Sequence, residues 1–216
     1  MKNFLAIDTS SKYMTVLAAK DGKTFVSYVP DCAMRHSVLL MGEIDKVLSE
    51  AELSLNDCDF FSAVVGAGSF TGIRIGISTI KGFCLAAGKP SLPVTSFAVA
   101  AYNAIDGERP LCLVDALHGN CYACGFDENK KIAYPPAYIS FEEAKRLAKE
   151  ERYTLRSAES FSDKGEKIMR SDPAEGLLQA VSVLSRDECN FGPLNALYIR
   201  KSQAEENSSV GRGGTP

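Results

Sequence analysis

The sequence contains very little histidine: its 216 residues include only His36 and His118, which lie far apart in the chain. Positive charge is not in excess either, since 24 Lys and Arg stand against 27 Asp and Glu, for a net charge of −3. A histidine-based metal site and a Ser-His-Asp arrangement are therefore not expected, and we predict no metal ligands and no catalytic residues. A large nucleic-acid surface is not expected, because such surfaces are usually basic.

Long apolar runs are also missing. No run approaches the roughly 20 residues of a membrane span, and the start, Met1-Lys2-Asn3, leads into a strand pattern without a signal peptide. The seven cysteines lie mostly within apolar runs, as expected of reduced thiols. We therefore predict a cytoplasmic protein with no membrane association. Cys121 and Cys124 lie three apart in a predicted strand and so on opposite faces, which favours core packing over a redox or metal-binding role.

A glycine-rich block follows the apolar run Phe60–Val65, which is predicted to be a buried strand. It reads Gly-Ala-Gly-Ser-Phe-Thr-Gly-Ile-Arg-Ile-Gly from residue 66 to 76 and continues as a helical pattern to Gly88. The block lacks the Lys-Ser/Thr of a P-loop and the acidic residue of a dinucleotide turn. One interpretation is that it binds phosphate through backbone N–H groups, and the other is that it only folds tightly. The phosphate interpretation involves Gly66, Gly68, Ser69 and Thr71.

Two predicted helices carry distinct stripes. In the helix of the glycine block, Ser78, Gly82 and Ala86 lie four residues apart, so a partner helix could approach this face closely. The helix predicted over residues 36–53 has an apolar stripe that includes Leu40 and Ile44. We expect Ser37 or Asp31 to cap its start. We interpret His36 as a partly exposed capping or hydrogen-bonding residue rather than a ligand.

The two halves of the chain repeat one pattern: a short apolar strand ending in Asp, a second strand, a hairpin, a third strand and a helix. Phe4–Ile7 ends at Asp8-Thr9-Ser10, and Leu111–Val114 ends at Asp115. The pattern predicts a duplicated unit with a cleft between its copies. The Asp8 turn suits phosphate binding, or equally a polar turn that satisfies its own backbone.

We place the domain boundaries at 1–105 and 106–202, with a hinge over residues 106–110, and predict disorder over 203–216. Three further helices are predicted to begin with side-chain caps. The capping residues are Ser96, Ser140 and Asp172.

Three segments together resemble the bacterial TsaB family, also called YeaZ. They are Phe4–Ser10, the block Gly66–Gly82 with its Gly-Ser-Phe-Thr-Gly-Ile-Arg-Ile-Gly run, and Ala196-Leu197-Tyr198-Ile199-Arg200. The likeness is dense over residues 4–100 and thin beyond. It implies an α/β fold of the actin/hexokinase/Hsp70 type, in which two lobes are built on duplicated mixed sheets.

The resemblance also implies a function. TsaB pairs with the catalytic paralogue TsaD, which places N6-threonylcarbamoyladenosine at position 37 of tRNAs that read ANN codons, and the ATPase TsaE completes the complex. TsaD binds a metal through His-x-x-x-His, and Ser96 and Ala100 occupy the matching positions here. The resemblance therefore implies a partner subunit that needs no cofactor itself, with ATP or ADP and tRNA met only in the complex.

The resemblance assigns pairing to the first-lobe helices, and the same surfaces would support a homodimer when the partner is absent. The predicted interface residues are His36, Leu40, Ile44, Arg74, Ser78, Gly82 and Ala86. Nucleotide contact at Asp8, Thr9, Ser10 and the glycine turn is an open alternative. So is an independent enzyme of the same fold, either a small-molecule kinase or a peptidase.

Overall fold

The computed structural model describes residues 2–159, 161 and 167–200, so the tail predicted to be disordered lies outside the described residues. Its strands form two 5-stranded sheets. The first has the order β3-β2-β1-β4-β5, with β1 Phe4–Asp8, β2 Met14–Lys20, β3 Lys23–Val29, β4 Phe60–Val64 and β5 Ser91–Val94. The second has the order β10-β9-β6-β7-β8, with β6 Pro110–Asp115, β7 Asn120–Phe126, β8 Ile132–Ser140, β9 Thr154–Ser157 and β10 Met169–Arg170.

The two sheets share one topology. In the first, β1 pairs antiparallel with β2 and parallel with β4. In the second, β6 pairs antiparallel with β7 and parallel with β9. Each sheet is thus an antiparallel meander extended by two parallel strands, and the predicted duplication is confirmed.

In the described part of the chain five helices cover the sheets, namely α1 His36–Glu50, α2 Phe70–Ala87, α3 Ser96–Tyr102, α4 Phe141–Glu150 and α5 Pro173–Leu184. Helices α1 and α2 pack on one face of the first sheet, and α3 and α5 pack on the other. Helix α3 also packs against β6 and β7, and α4 covers the outer face of the second sheet. The core therefore continues from one sheet to the other through α3.

The predicted domain boundary at residue 105 stays a prediction. The packing shows that part of the chain after this boundary lies against the first sheet. Helix α5 follows the second sheet in sequence, yet Leu177, Ala180 and Val181 pack against the first sheet. Leu194 joins the core beneath α1 and α2. The end of the chain thus returns to the first lobe.

Helix starts show which caps the sequence predicted well. Ser140 accepts from the Glu143 N–H, and Asp172 accepts from the two N–H groups that follow Pro173, as predicted. The cap of α3 is Thr95 rather than Ser96, whose hydroxyl is engaged elsewhere. At α1 the prediction of Ser37 or Asp31 is wrong, because Arg35 occupies the cap position without a side-chain hydrogen bond.

Strand β8 is longer than predicted. The sequence predicts a return strand over Ile132–Tyr134 that ends at Pro135-Pro136, whereas the strand continues to Ser140. Because β8 is the edge of its sheet, prolines there do not interrupt a ladder on both sides.

Cys121 and Cys124 are free buried thiols on opposite faces of β7, which confirms the prediction of core packing. Cys121 packs beneath α4, and Cys124 packs against α3. Burial raises the pKa of each thiol to about 12.

Helix α2 has 18 residues and is the one described helix long and apolar enough to meet a composition test for a membrane span. The test is weak, because core helices of water-soluble proteins also pass it. Ile73, Ile77 and Ile80 of α2 pack on the first sheet.

Candidate functional site

The Asp8 turn is buried at the end of β1. Asp8 Oδ1 accepts from the backbone N–H of Ser10 at 2.8 Å and from its hydroxyl at 2.6 Å. Asp8 Oδ2 makes no well-directed hydrogen bond to a described residue, although the Tyr13 hydroxyl is close enough to affect it. Burial raises the pKa of Asp8, and the hydrogen bonds from Ser10 and Tyr13 and the nearby His36 only partly oppose this. Asp8 Oδ2 is therefore the least well satisfied polar atom of the turn.

The hydroxyls of the Asp8 turn are used within the chain. The Thr9 hydroxyl donates to the carbonyl of Gly72 at 2.7 Å. The Ser10 hydroxyl lies 3.1 Å from that of Ser96, which donates to the carbonyl of Ala67 at 2.6 Å. Since Thr9 and Ser10 are at most 2% exposed, a nucleotide could reach neither of them without a rearrangement of the chain.

The glycine block packs directly on this turn. The Ser10 carbonyl accepts from the Ser69 N–H at 2.7 Å, and a Cβ on Gly68, whose φ is +147°, would overlap that carbonyl. A Cβ on Gly72 would overlap the carbonyl of Thr9. These two glycines let α2 begin in contact with the turn, which supports the tight-folding interpretation.

The other members of the block are placed differently. Gly66 is buried with φ at +118° and precedes a cis peptide bond to Ala67. Ser69 and Thr71 are exposed, and Ser69 caps α2 by accepting from the Gly72 N–H at 3.2 Å. The structure thus gives folding roles to Gly68, Ser69 and Gly72, while phosphate binding by the block stays a prediction.

The second-lobe turn is built from different parts. Asp115 Oδ1 accepts from the Leu117 N–H at 2.8 Å. Leu117, His118 and Gly119 all have positive φ, at 64°, 54° and 77°, and the Leu117 side chain is exposed. His118 lies on this loop. His36 is buried in the first lobe, where its ring forms a hydrogen bond of 3.2 Å with the Tyr13 carbonyl, so the two histidines do not belong to one site.

Glu159 joins the two turns, and the sequence prediction missed it. The Ser11 hydroxyl of the first lobe donates to one of its carboxylate oxygens, and the Asp115 N–H of the second lobe donates to the other at 3.1 Å. Burial raises the pKa of Glu159, and the charges of Asp115 and Asp8 raise it further against the two hydrogen bonds. A cavity of only about 10 Å³ is left beside Ser11, Tyr13 and Glu159, room for about one water molecule.

A signal for Glu159 does exist in the topology. Strand β9 lies parallel to β6 as β4 lies parallel to β1, so the residues after β9 emerge beside Asp115. The apolar pattern of the sequence predicts a strand only over residues 153–155, which stops two residues before the end of β9 at Ser157.

The predicted interface residues divide into two groups. His36, Leu40 and Ile44 are at most 6% exposed and face the protein's own interior, so their prediction as contact residues is corrected. His36 is therefore not the partly exposed residue that was expected either. Their burial follows from the stripe itself, because α1 needs an apolar face to pack on the sheet.

Ser78, Gly82 and Ala86 of α2 are exposed, and a Cβ on Gly82 would meet nothing within 4 Å. Arg74 is also exposed, but it is engaged: its guanidinium lies 3.8 Å from the Phe70 ring centroid, and its Nε donates to the Tyr198 hydroxyl at 2.9 Å. Arg74 thereby ties the last described segment to the start of α2.

Large apolar side chains are exposed on the same two helices, α1 and α2. Met34, Val38 and Met41, on α1 and just before it, are 97%, 77% and 47% exposed, and Leu85 of α2 is 87% exposed. Together they define what we call the outer helical face, which consists of Met34, Val38, Met41, Ser78, Gly82, Leu85 and Ala86.

Among the described residues, no group of three His, Cys, Asp or Glu side chains is arranged to hold a metal ion. At the positions compared with the TsaD ligands, the Ser96 hydroxyl donates to a backbone carbonyl and Ala100 is packed against the second sheet.

Two lobes of one topology, each with an Asp-bearing turn at the cleft, define an actin/hexokinase/Hsp70-like fold. Residues 23–184 match the family model described as "TsaD: tRNA N6-adenosine threonylcarbamoyltransferase". The chain belongs to that family, and its relatives place it on the TsaB (YeaZ) branch.

The sequence similarity to individual relatives covers about half of the chain. The "tRNA threonylcarbamoyladenosine biosynthesis protein TsaB" of Escherichia coli is 32% identical over 130 residues, 58% of this chain and 56% of that protein. Its counterpart in Haemophilus influenzae is 30% identical over 122 residues, 55% of this chain and 51% of that one. The matches thus span about half the length of these curated relatives. The solved structure "YeaZ from Pseudomonas aeruginosa" shares the fold, with a TM-score of 0.72 over 92% of this chain and 100% of that one at 22% identity.

Proposed function

We propose that this chain is a non-catalytic partner subunit in the formation of N6-threonylcarbamoyladenosine at tRNA position 37. It activates a TsaD protein by docking through the outer helical face. The observation that carries the proposal is the contrast between this open face and a cleft whose hydroxyl groups are already used within the chain. In this proposal TsaE, ATP or ADP and tRNA belong to the assembled cytoplasmic complex, and the chain forms a homodimer when TsaD is absent.

The chemistry of the outer helical face suits helix packing. Ser78, Gly82 and Ala86 are uncharged, small and exposed on α2, and the same two helices expose Leu85 on α2 and Val38 and Met41 on α1. Small residues let a partner helix approach closely, and the large side chains supply apolar area to bury. The proposal therefore places contacts at Val38 and Met41, not at the buried Leu40 and Ile44.

Gly82→Leu tests the docking. Because the space beyond Gly82 is open, the variant should fold normally while its side chain fills that space. Co-purification with the TsaD of the same organism should fall at least about tenfold, a loss of about 1.4 kcal/mol. Formation of the modified adenosine by the reconstituted complex should fall in parallel.

The matched control is Lys149→Leu, which adds the same side chain at an exposed position of α4 in the other lobe. It should leave pairing unchanged. A Gly82→Leu protein that melts like wild type and still pairs with wild-type affinity would show that docking uses another surface.

An independent enzyme of the same fold, a small-molecule kinase or a peptidase, is the second candidate. The observation in its favour is Asp8, whose buried Oδ2 has no well-directed partner among the described residues. The isolated chain should then turn over ATP or a peptide, and Asp8→Asn should abolish the turnover. Absence of turnover in the wild-type chain alone would remove this candidate.

A further inference from the structure

A second exposed surface lies where the last described segment of the chain passes from the first lobe to the second. Leu197 and Ile199 pack inward against the core around α3, and the Leu197 N–H donates to the Val65 carbonyl at 2.7 Å. The alternate residues Tyr198 and Arg200 are exposed. Because two residues of extended chain span at most about 7 Å, these two side chains are neighbours on the surface.

Tyr198 and Arg200 each complete an arginine–tyrosine pair with a residue of one lobe. In the first lobe the Arg74 Nε donates to the Tyr198 hydroxyl at 2.9 Å, and the Tyr198 ring stacks on that of Phe70 with centroids 4.7 Å apart. In the second lobe the Arg200 guanidinium lies 5.1 Å from the ring centroid of Tyr138 on β8 and donates to its hydroxyl at 3.3 Å. We call these five residues the arginine–tyrosine patch.

The patch leaves both stacking area and positive charge open to solvent. Tyr198 and Tyr138 are 41% and 37% exposed, and both arginines are exposed. Arg74 forms no ion pair with a carboxylate of the described residues. Aromatic rings and guanidinium planes are the groups on which unpaired nucleotide bases stack, and arginine also binds phosphate.

The chain segments that supply the patch carry only positive charge. Residues 60–105, 129–141 and 191–200 together contain six Lys and Arg and no Asp or Glu, although the whole chain has a net charge of −3. The local charge therefore differs in sign from the overall charge. A small patch of this kind suits a loop of RNA, whereas a long duplex would need the extended basic surface that the composition does not provide.

We propose that the arginine–tyrosine patch binds unpaired nucleotides of RNA, whose bases stack on the tyrosine rings while their phosphates contact the arginines. The choice of RNA over single-stranded DNA rests on the proposed function, in which a tRNA belongs to the complex. Arg74 and Ser78 lie four residues apart on one face of α2, so the patch adjoins the outer helical face. A docked TsaD and a bound RNA loop would lie side by side.

Fluorescence anisotropy of a labelled RNA hairpin with an unpaired loop tests the patch, and a fully paired RNA of the same length is the comparison probe. At low salt the isolated wild-type chain should bind the looped RNA at least about fivefold more tightly than the paired RNA, because only unpaired bases can stack. In Tyr138→Thr the affinity for the looped RNA should fall at least about fivefold.

The matched control is Tyr28→Thr, on the edge strand of the other sheet. Tyr28 is 38% exposed, and its ring centroid lies 5.8 Å from that of a second tyrosine, as the ring centroid of Tyr138 does. The control should bind the looped RNA like wild type. Arg74→Gln should in addition lower the slope of log affinity against log salt by about 0.7 for each phosphate contact that is lost.

Pairing measurements separate RNA binding from protein docking. Tyr138→Thr should still co-purify with TsaD, and Gly82→Leu should still bind the looped RNA, so each proposal can fail without the other. No binding of the looped RNA by wild type, equal binding of looped and paired RNA, or RNA binding that both patch variants leave unchanged would overturn the proposal. So would loss of TsaD pairing in Tyr138→Thr with RNA binding intact, since the patch would then belong to the protein interface.

Discussion

The turns that follow Asp8 and Asp115 occupy equivalent places in a duplicated topology, yet different groups of the chain pack against them. Around Asp8 the closure is made by backbone and hydroxyl groups, because Gly68 and Gly72 bring α2 into contact with Thr9 and Ser10. Around Asp115 it is made by charged groups, because Glu159 accepts from the turn itself. The same fold can therefore keep its shape while the chemistry at its two turns diverges.

The length of one connection explains much of this difference. Between β4 and β5 the chain includes the 18 residues of α2, whose first turn packs on the Asp8 turn. Between β9 and β10 only residues 158–168 are available, too few for a helix of that length. In the second lobe the Glu159 carboxylate contacts the Asp115 turn, whereas in the first lobe the start of α2 contacts the Asp8 turn.

A buried ion pair gives the second lobe a further charged contact. The Arg156 guanidinium donates to both carboxylate oxygens of Glu108, from Nε at 2.6 Å and from Nη2 at 2.7 Å, and thereby fixes the segment predicted as the hinge. Burial alone would raise the pKa of Glu108, but the hydrogen bonds and charge of Arg156 outweigh it and hold the pKa below its ordinary value.

The largest expected effect is that of Arg156→Met. The variant leaves the Glu108 carboxylate, whose side chain is 12% exposed, without its partner. The free energy of unfolding should fall by about 3–5 kcal/mol in urea denaturation. The difference from wild type should shrink as the pH falls from the ordinary glutamate value of 4.5 through the lowered pKa of Glu108, because wild type then loses the charge that Arg156 pairs with.

Arg146→Met is the control for this prediction. Its pair with Glu150 spans 3.9 Å between side chains that are 69% and 62% exposed. Its loss should change stability by less than about 0.5 kcal/mol. Equal losses in Arg146→Met and Arg156→Met would mean that the hinge segment is not held by its ion pair.

In the first lobe, stability should depend on added side-chain volume at the Asp8 turn rather than on charge. Gly72→Ala places a methyl group against the Thr9 carbonyl, which is backbone and cannot move aside cheaply. The free energy of unfolding should fall by about 1–3 kcal/mol, with little dependence on pH between 5 and 8. Thermal and urea denaturation both measure it. A loss that grows steeply with pH would contradict the contrast between the two turns.

The sequence predicted the repeated strand order, the Asp turns and most helices, because these depend on local patterns of apolar residues, caps and glycines. It could not predict which side of α1 stays exposed. Leu40, Met41 and Ile44 fit one apolar stripe in sequence, and only the sheet beneath the helix decides that Leu40 and Ile44 are buried while Met41 is half exposed.

Glu159 was missed for a related reason. An acidic residue after a short strand resembles any surface loop, and its contacts with Ser11 and Asp115 lie 148 and 44 residues away in sequence. The roles of Gly68 and Gly72 were left open because a glycine that approaches a ligand and one that approaches its own chain look identical in sequence.

The smallest expected effect is that of Gly82→Ala, and it separates the two reasons for glycine in α2. Gly72 lies against backbone, whereas Gly82 faces open space in mid-helix. Alanine at 82 should raise the free energy of unfolding by about 0.5–1 kcal/mol, because glycine is a poor helix former and nothing obstructs the methyl group. Urea denaturation of this variant beside Gly72→Ala should therefore give changes of opposite sign in one helix. If Gly82→Ala is also destabilising, position 82 is not open in solution, and the glycine would then reflect internal packing rather than a surface kept free for another chain.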